Sequence, residues 1–178
     1  MNSKGLYFAN SGAMLMVSTA LVGALFFQFD LLENPCPLCL LQRMGMFGVI
    51  LGLAFNIFFG FKKEHFGLVI IAALVGSSFS IRQVLLHICP VAGETTGYGD
   101  PVLGMHLYTW GVVIFALSII GSVVFLFLFK EEKPKTKRIP TTFEKITFYF
   151  MMMLVFVNII ATFFECHIGP CCENGPCP

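Results

Sequence analysis

Charged residues are scarce in this 178-residue chain: Asp, Glu, Lys and Arg make up 12% of it, whereas apolar residues make up 57%. The mean hydropathy is +0.84. This composition leaves no room for a soluble domain and indicates one compact integral membrane bundle. Internal repeats and low-complexity segments are absent, the net charge of +1 says nothing about partners, and nothing in the sequence indicates nucleic-acid binding.

Five apolar runs are long enough to cross a lipid bilayer, which takes about 20 residues. They cover residues 8–29, 40–61, 66–88, 107–129 and 146–164. The sequence therefore predicts an all-α polytopic membrane protein, a four-helix transmembrane bundle plus a fifth transmembrane helix. The first run is too long for the core of a signal peptide, and we interpret it as an uncleaved anchor. The Met-rich fifth run leaves open a helix that lies in the membrane interface.

Lysine and arginine are nearly absent from one side of this topology. If five spans alternate, nine basic residues share one side: Lys4, Lys62, Lys63, Lys130, Lys133, Lys135, Lys137, Arg138 and Lys145. Only Arg43 and Arg82 lie towards the other side. The positive-inside rule then places the N-terminus in the cytoplasm and the C-terminus outside. We divide the chain into a core over 1–129, a basic cytoplasmic linker over 130–145, the fifth helix over 146–164 and a tail over 165–178.

Cysteine is missing from the cytoplasmic side and from the middle of every span. The seven cysteines all fall on the outer side: Cys36, Cys39, Cys89, Cys166, Cys171, Cys172 and Cys177. In a Gram-negative cell that side is the oxidising periplasm. The cysteines therefore support the same orientation as the charges, and they predict an inner-membrane protein with periplasmic thiol chemistry.

Residues 34–43 (Asn-Pro-Cys-Pro-Leu-Cys-Leu-Leu-Gln-Arg) carry the strongest motif. A Cys-x-x-Cys pair closes a small, reducible disulfide when the backbone turns tightly, and the flanking prolines favour such a turn. If the second span starts near Leu40, Cys39 sits at a helix N-terminus, where the macrodipole favours a thiolate. Arg43 lies one turn deeper on the same face, which is a costly place for a cation without a function.

These residues resemble the hallmark of the quinone-reducing disulfide oxidase family typified by DsbB. That hallmark is a Cys-x-x-Cys at the start of the second transmembrane helix with an arginine four residues after the second cysteine, here Cys36, Cys39 and Arg43. Two further stretches resemble the family, Arg82-Gln83 and residues 104–110 (Gly-Met-His-Leu-Tyr-Thr-Trp). The resemblance extends over about residues 8–129.

The resemblance implies a thiol:quinone oxidoreductase that supports protein disulfide bond formation. It implies a periplasmic, DsbA-like thiol oxidase of the thioredoxin fold as the electron donor, and ubiquinone or menaquinone in the lipid bilayer as the acceptor. Cys36 would exchange with a second disulfide, and Cys39 would face the quinone. Arg43 would stabilise the Cys39 thiolate and bind a quinone carbonyl. Further candidates for quinone binding are Arg82, His87 and His106, although an arginine that snorkels and histidines that cap helix ends are the simpler interpretations.

The chain departs from the family pattern in the cysteines that face the partner. The second periplasmic loop of the family carries two cysteines, whereas residues 87–106 contain only Cys89. We therefore predict that Cys89 forms the second catalytic disulfide with a tail cysteine, Cys166, Cys171 or Cys172, and that Cys177 stays free.

Two other functions fit the cysteines. A membrane metal-binding protein would use the exposed thiols as ligands for zinc or Cu(I). An enzyme similar to vitamin K epoxide reductase would use related chemistry, but its Cys-x-x-Cys lies in a later span.

Overall fold

The computed structural model describes residues 3–30, 35–89, 101–128, 139–166, 171–172 and 175–176. Within these ranges the chain forms five long helices: α1 (Ser3–Phe29), α2 (Pro37–Phe59), α3 (Lys63–Ile88), α4 (Leu107–Leu128) and α5 (Thr142–Cys166). Two short strands, β1 (Cys171–Cys172) and β2 (Gly175–Pro176), pair antiparallel. All five helices are long and apolar enough to cross a membrane, which confirms the predicted fold class.

Local capping extends α2 and α5 beyond the start of their apolar runs. At α2, Cys36 is the N-cap residue and Pro37 occupies the first helical turn, where its missing N–H costs nothing. At α5, the Glu144 carboxylate accepts a hydrogen bond from Thr141 N at 2.8 Å, and Thr141 Oγ1 accepts one from Glu144 N at 3.4 Å. This reciprocal pair is a capping box.

Side-chain contacts show that successive helices run in opposite directions and that α5 runs parallel to α1. Near the starts of α1 and α5, the rings of Phe8 and Phe143 stack at 5.4 Å. Near their ends, Gln28 and Asn158 meet the same guanidinium, that of Arg43. Because α5 contacts the bundle at both ends, it runs along the bundle rather than across one end of it.

Glycines allow α2 to approach α3 closely. A Cβ atom at Gly48 would lie 2.7 Å from Ala72 Cβ, and one at Gly52 would lie 2.6 Å from a Val69 methyl. At Gly45 the close neighbour is backbone, because a Cβ there would lie 2.6 Å from the Cα of Gly76. This close packing holds α2 against α3 and fixes the position of the N-terminal turn of α2.

A buried amide chain ties α1, α2 and α3 together at the end of the bundle opposite to Cys36. Asn10 Nδ2 donates to Leu53 O at 2.9 Å, and Asn56 Nδ2 donates to Asn10 Oδ1 at 3.0 Å. His65 Nδ1 lies 3.1 Å from Asn56 Oδ1. Since the amide groups of Asn10 and Asn56 and the Nδ1 atom of His65 all have partners, we interpret this network as one that stabilises the packing of the three helices.

Candidate active site

The two thiols of the Cys-x-x-Cys lie at the N-terminal turn of α2. Cys36 Sγ accepts a hydrogen bond from the backbone N–H of Cys39 at 3.1 Å, which makes the first thiol the cap of the helix. Both cysteines are free thiols in this structure, Cys36 buried and Cys39 half-buried. Capping brings the two sulfurs to the same turn, so the geometry suits reversible closure of a small disulfide.

The proton of this dithiol belongs on Cys36. The side-chain hydrogen bond with Cys39, followed by burial, raises the pKa of the Cys36 thiol far above its ordinary value. Cys39 lies in the first turn of α2, where backbone N–H groups and the helix dipole favour negative charge. The arrangement therefore favours the proton on Cys36 and negative charge on Cys39.

Gln83 of α3 contacts both sulfurs. Its Nε2 lies 3.2 Å from Cys36 Sγ and 3.5 Å from Cys39 Sγ, and its Oε1 accepts from Gln42 Nε2 at 2.6 Å. The bond from Gln42 orients the Gln83 amide so that its N–H groups face the sulfurs. Gln83 was recognised from the sequence only as part of a familial stretch, and Gln42 was not singled out. Both are polar side chains within an apolar span, which is the signal that points to them.

Arg43 is held by neutral partners. Its side chain is only 6% exposed. Nη1 donates to Gln28 Oε1 at 2.8 Å and to Asn158 Oδ1 at 3.4 Å, and Nη2 donates to Ala24 O at 3.1 Å. None of these acceptors is charged, so the hydrogen bonds orient the guanidinium without neutralising it, although Glu165 of α5 interacts with it electrostatically. Its positive charge remains available to an anion nearby, and the Cys39 sulfur lies one helical turn away.

A cavity of about 380 Å³ opens beside the half-buried thiol. Its polar and aromatic lining comes from α1, α2, α3 and α4: Thr19, Phe27, Gln28, Cys39, Gln42, Arg43, Gln83, Tyr108 and Trp110. Two polar atoms of this lining are buried without a hydrogen-bond partner, Arg43 Nε and the Tyr108 hydroxyl. A mostly apolar cavity of this size with a few polar groups is typical of a small-molecule site.

The structure brings only part of the predicted cofactor site to this cavity. Arg43 lines it, but Arg82, His87 and His106 do not. Arg82 is exposed on the outer face of α3, because a helix that places Gln83 inside turns the adjacent residue away. His87 is also exposed, but it lies one turn beyond Gln83, and its ring centroid is 4.9 Å from that of His106 and 5.9 Å from that of Tyr108. His106 instead stacks on Tyr108 with ring centroids 5.2 Å apart. It therefore supports a cavity residue without reaching the cavity.

The predicted disulfide between Cys89 and a tail cysteine, Cys166, Cys171 or Cys172, does not form in this structure. Cys89 is an exposed free thiol that caps the C-terminus of α3. Cys166 is disulfide-bonded, and its partner is none of Cys36, Cys39 and Cys89, since those three are free. The sequence alone does not rank the remaining tail cysteines as partners of Cys166. The side chains of Cys171 and Cys172, the whole of Cys177, and linker residues 130–138 lie outside what the structure describes.

The exposure of Cys36 also differs from the expectation that it faces an incoming thiol. Its side chain is 4% exposed, because it lies under the N-terminal turn of α2 and against Gln83. Exchange with another protein at Cys36 therefore requires this turn to move.

Comparison with known proteins assigns the family. The family model described as "Disulfide bond formation protein DsbB" matches residues 8–96. "Disulfide bond formation protein B" of Chromobacterium violaceum is 39% identical over 156 residues, which are 67% of this chain and 94% of the relative. The chain belongs to the DsbB family. It is a disulfide-generating oxidoreductase and a multi-pass helical membrane protein.

Two further DsbB relatives are more distant. "Disulfide bond formation protein B 1" of Pseudomonas fluorescens Pf-5 is 29% identical over 137 residues, 59% of this chain and 80% of the relative. The protein of the same name from Pseudomonas fluorescens Pf0-1 is 28% identical over 132 residues, 72% of this chain and 63% of the relative. No solved structure gives a significant match to this chain. The match to the DsbB model ends before α4, so Tyr108 and all of α5 lie beyond it.

Membership of the DsbB family decides against the two rival functions. It makes the chain an enzyme rather than a metal carrier. The family that matches the chain is DsbB and not vitamin K epoxide reductase. Among the described residues, no three His, Cys, Asp or Glu side chains lie close enough together to hold a metal ion.

Proposed function

We propose that this DsbB-family protein transfers two electrons from a periplasmic thioredoxin-fold thiol oxidase to a membrane quinone through Cys36 and Cys39. The observation that carries the proposal is the cavity: Cys39 and Arg43 line one apolar space that also holds two unpartnered polar atoms. A thiol beside such a space can deliver electrons to an apolar acceptor without contact with water.

The cavity fits a quinone head group. A quinone ring is flat and apolar, and its two carbonyl oxygens accept hydrogen bonds. The buried Arg43 Nε and Tyr108 hydroxyl are donors without acceptors, and the aromatic rings of Tyr108 and Trp110 offer flat surfaces. A quinone bound there would supply the electron sink, since it takes up two electrons and two protons as it becomes a quinol.

The residues of the chain then have distinct tasks. In the oxidised protein, one thiolate of the donor dithiol attacks Cys36, the Cys36–Cys39 bond breaks, and Cys39 leaves as a thiolate. The second thiol of the donor then attacks the mixed disulfide, which returns Cys36 as a thiol and leaves the donor oxidised to a disulfide. The Gln83 amide and the Arg43 charge stabilise the Cys39 thiolate. When Cys36 and Cys39 form their disulfide again, two electrons and two protons pass to the acceptor in the cavity.

The second redox disulfide of this proposal contains Cys166 rather than Cys89. Cys166 ends α5 and lines a groove between α2 and α5 together with Pro37 and Leu40. Its disulfide therefore lies beside the helix turn that covers Cys36. Cys89→Ser is expected to oxidise the protein donor normally. Cys166→Ser is expected to lose oxidation of the protein donor while it retains oxidation of dithiothreitol. Normal turnover of the protein donor by Cys166→Ser would remove this disulfide from the electron path.

A coupled turnover assay tests the proposed function. Purified protein in detergent receives a reduced thioredoxin-fold oxidase and a soluble quinone, and quinol formation is followed by absorbance in the presence of a metal chelator. We expect quinol to form with the wild type and not with Cys36→Ser or Cys39→Ser, because one thiol cannot cycle between dithiol and disulfide. Quinol formation that persists in both variants would contradict the proposal.

A further inference from the structure

The fifth helix contributes a side chain to the redox site. Asn158 of α5 is fully buried, and its Oδ1 lies 3.4 Å from Arg43 Nη1. Its Nδ2 donates to Leu154 O at 2.8 Å, one turn back on the same helix. That bond settles the orientation of the amide, so the oxygen faces the guanidinium.

Asn158 completes a clamp around Arg43 from two helices. Gln28 and Ala24 of α1 accept from the guanidinium on one side, and Asn158 accepts from the α5 side. Asn158 does not line the 380 Å³ cavity, whereas Arg43 does. Any influence of Asn158 on the chemistry must therefore pass through the position of Arg43.

We propose that Asn158 is a positioning residue that holds the Arg43 guanidinium towards Cys39 and the cavity, so that α5 is part of the redox site. This inference rests on the proposed function of Arg43. A buried asparagine that only joins helices would stabilise the bundle and leave the thiol chemistry unchanged. A positioning residue changes the equilibrium between the Cys36–Cys39 dithiol and its disulfide, since Arg43 stabilises the thiolate of the reduced form.

The first experiment measures this equilibrium without any quinone. Wild type, Asn158→Leu and Asn158→Asp are equilibrated in dithiothreitol buffers, and the oxidised fraction of Cys36–Cys39 is read by alkylation and mass spectrometry. The new carboxylate of Asn158→Asp pairs with Arg43 and draws its charge away from Cys39. We expect this variant to favour the disulfide by about tenfold, the effect of one charge neighbour on a thiolate, or about 30 mV towards a more reducing potential. Asn158→Leu should shift in the same direction by less.

Thr162→Val is the matched control on the same helix. The Thr162 hydroxyl donates to Asn158 O at 2.8 Å, so this variant removes an α5 hydrogen bond without touching the Arg43 side chain. It should keep the wild-type equilibrium. If Asn158→Asp and Asn158→Leu also keep the wild-type equilibrium, the proposal is overturned. An equal shift in Thr162→Val would assign the effect to α5 packing and would overturn it as well.

A double-mutant cycle tests whether Asn158 acts through Arg43, and it keeps the proposal testable if one single variant folds poorly. If Asn158 acts through Arg43, then Arg43→Ala and Arg43→Ala/Asn158→Leu have the same equilibrium and the same KM for a soluble quinone. Additive effects of the two substitutions would overturn the proposal. If the variants show the shifts in the thiol equilibrium but the wild type reduces no quinone, the proposed function alone is refuted. The two failures are therefore distinguishable.

Discussion

Neutral amides surround the two thiols and the single guanidinium of the site. Gln42 orients Gln83 towards the sulfurs, and Gln28 and Asn158 hold Arg43. Because these side chains carry no charge, they position the reacting groups without compensating them. The Arg43 charge, which also interacts with Glu165, therefore acts on the anion that forms when the disulfide opens, in a region where water does not screen it.

Gln83 should control the stability of the reduced pair. Gln83→Leu removes the N–H groups that contact Cys36 and Cys39, and a hydrogen bond to a charged group contributes about 1.5–3 kcal/mol. We expect the dithiol–disulfide equilibrium to shift towards the disulfide by about tenfold or more. The measurement is the oxidised fraction of the pair in dithiothreitol buffers. An unchanged equilibrium would show that the amide is only a packing element.

Arg82 provides the neighbouring test, because it was a candidate for quinone binding and lies outside the cavity. Arg82→Gln should leave the KM for a soluble quinone at the wild-type value, since the side chain is exposed on the outer face of α3. Arg43→Lys should raise that KM, because lysine keeps the charge but loses the planar fork that Gln28, Asn158 and Ala24 bind. A raised KM in Arg82→Gln would mean that the quinone lies elsewhere.

At the scale of the elements, hydropathy predicts the helices and capping sets their ends. The run over 146–164 underestimates α5 because the first turn is polar, yet Thr141 and Glu144 satisfy its backbone by a capping box. The run starting at residue 40 misses the first turn of α2, since Pro37 and the Cys36 cap extend the helix into the motif itself. Both signals were present in the sequence, but they are local and hydropathy does not record them.

The close contact of α2 and α3 predicts an asymmetry between two glycines. Gly45→Ala forces a methyl group to 2.6 Å from Gly76 Cα, a backbone atom that cannot turn aside. We expect a loss of about 1–3 kcal/mol of stability from overpacking, seen as a lower midpoint of thermal unfolding in detergent. Gly67→Ala in α3 is the control, because a Cβ atom there meets nothing within 4 Å. Equal midpoints for the two variants would contradict the close approach.

At the scale of the whole molecule, the sequence predicts the five helices and the motif but not the contacts that assemble the site. Cys36, Cys39 and Arg43 share one short stretch, so spacing alone predicts their proximity. Asn158 reaches Arg43 across 115 residues of chain, and no local pattern reports such a contact. The choice of Cys166 partner fails for the same reason, because it depends on which cysteine the fold brings nearest.

The orientation in the membrane stays a prediction with a direct test. Cys89 is an exposed thiol at the Cys36 end of the bundle, and Lys62 is exposed at the opposite end. An impermeant maleimide added to intact spheroplasts should label Cys89, as read by peptide mass, because the positive-inside rule places this end in the periplasm. The introduced thiol of Lys62→Cys should be labelled only after lysis. The reverse pattern would invert the topology.

The central claim is that electrons leave this protein from Cys36 and Cys39 to a quinone, and a single-turnover experiment measures it most directly. Fully reduced protein is mixed with excess soluble quinone in the absence of oxygen and of any protein donor. Quinol is then quantified together with the thiol state of each cysteine. The account predicts one quinol for each disulfide formed, with Cys36–Cys39 oxidised in every molecule that has produced quinol, and a large loss of rate in Arg43→Ala. Quinol formed while Cys36 and Cys39 remain reduced would contradict it.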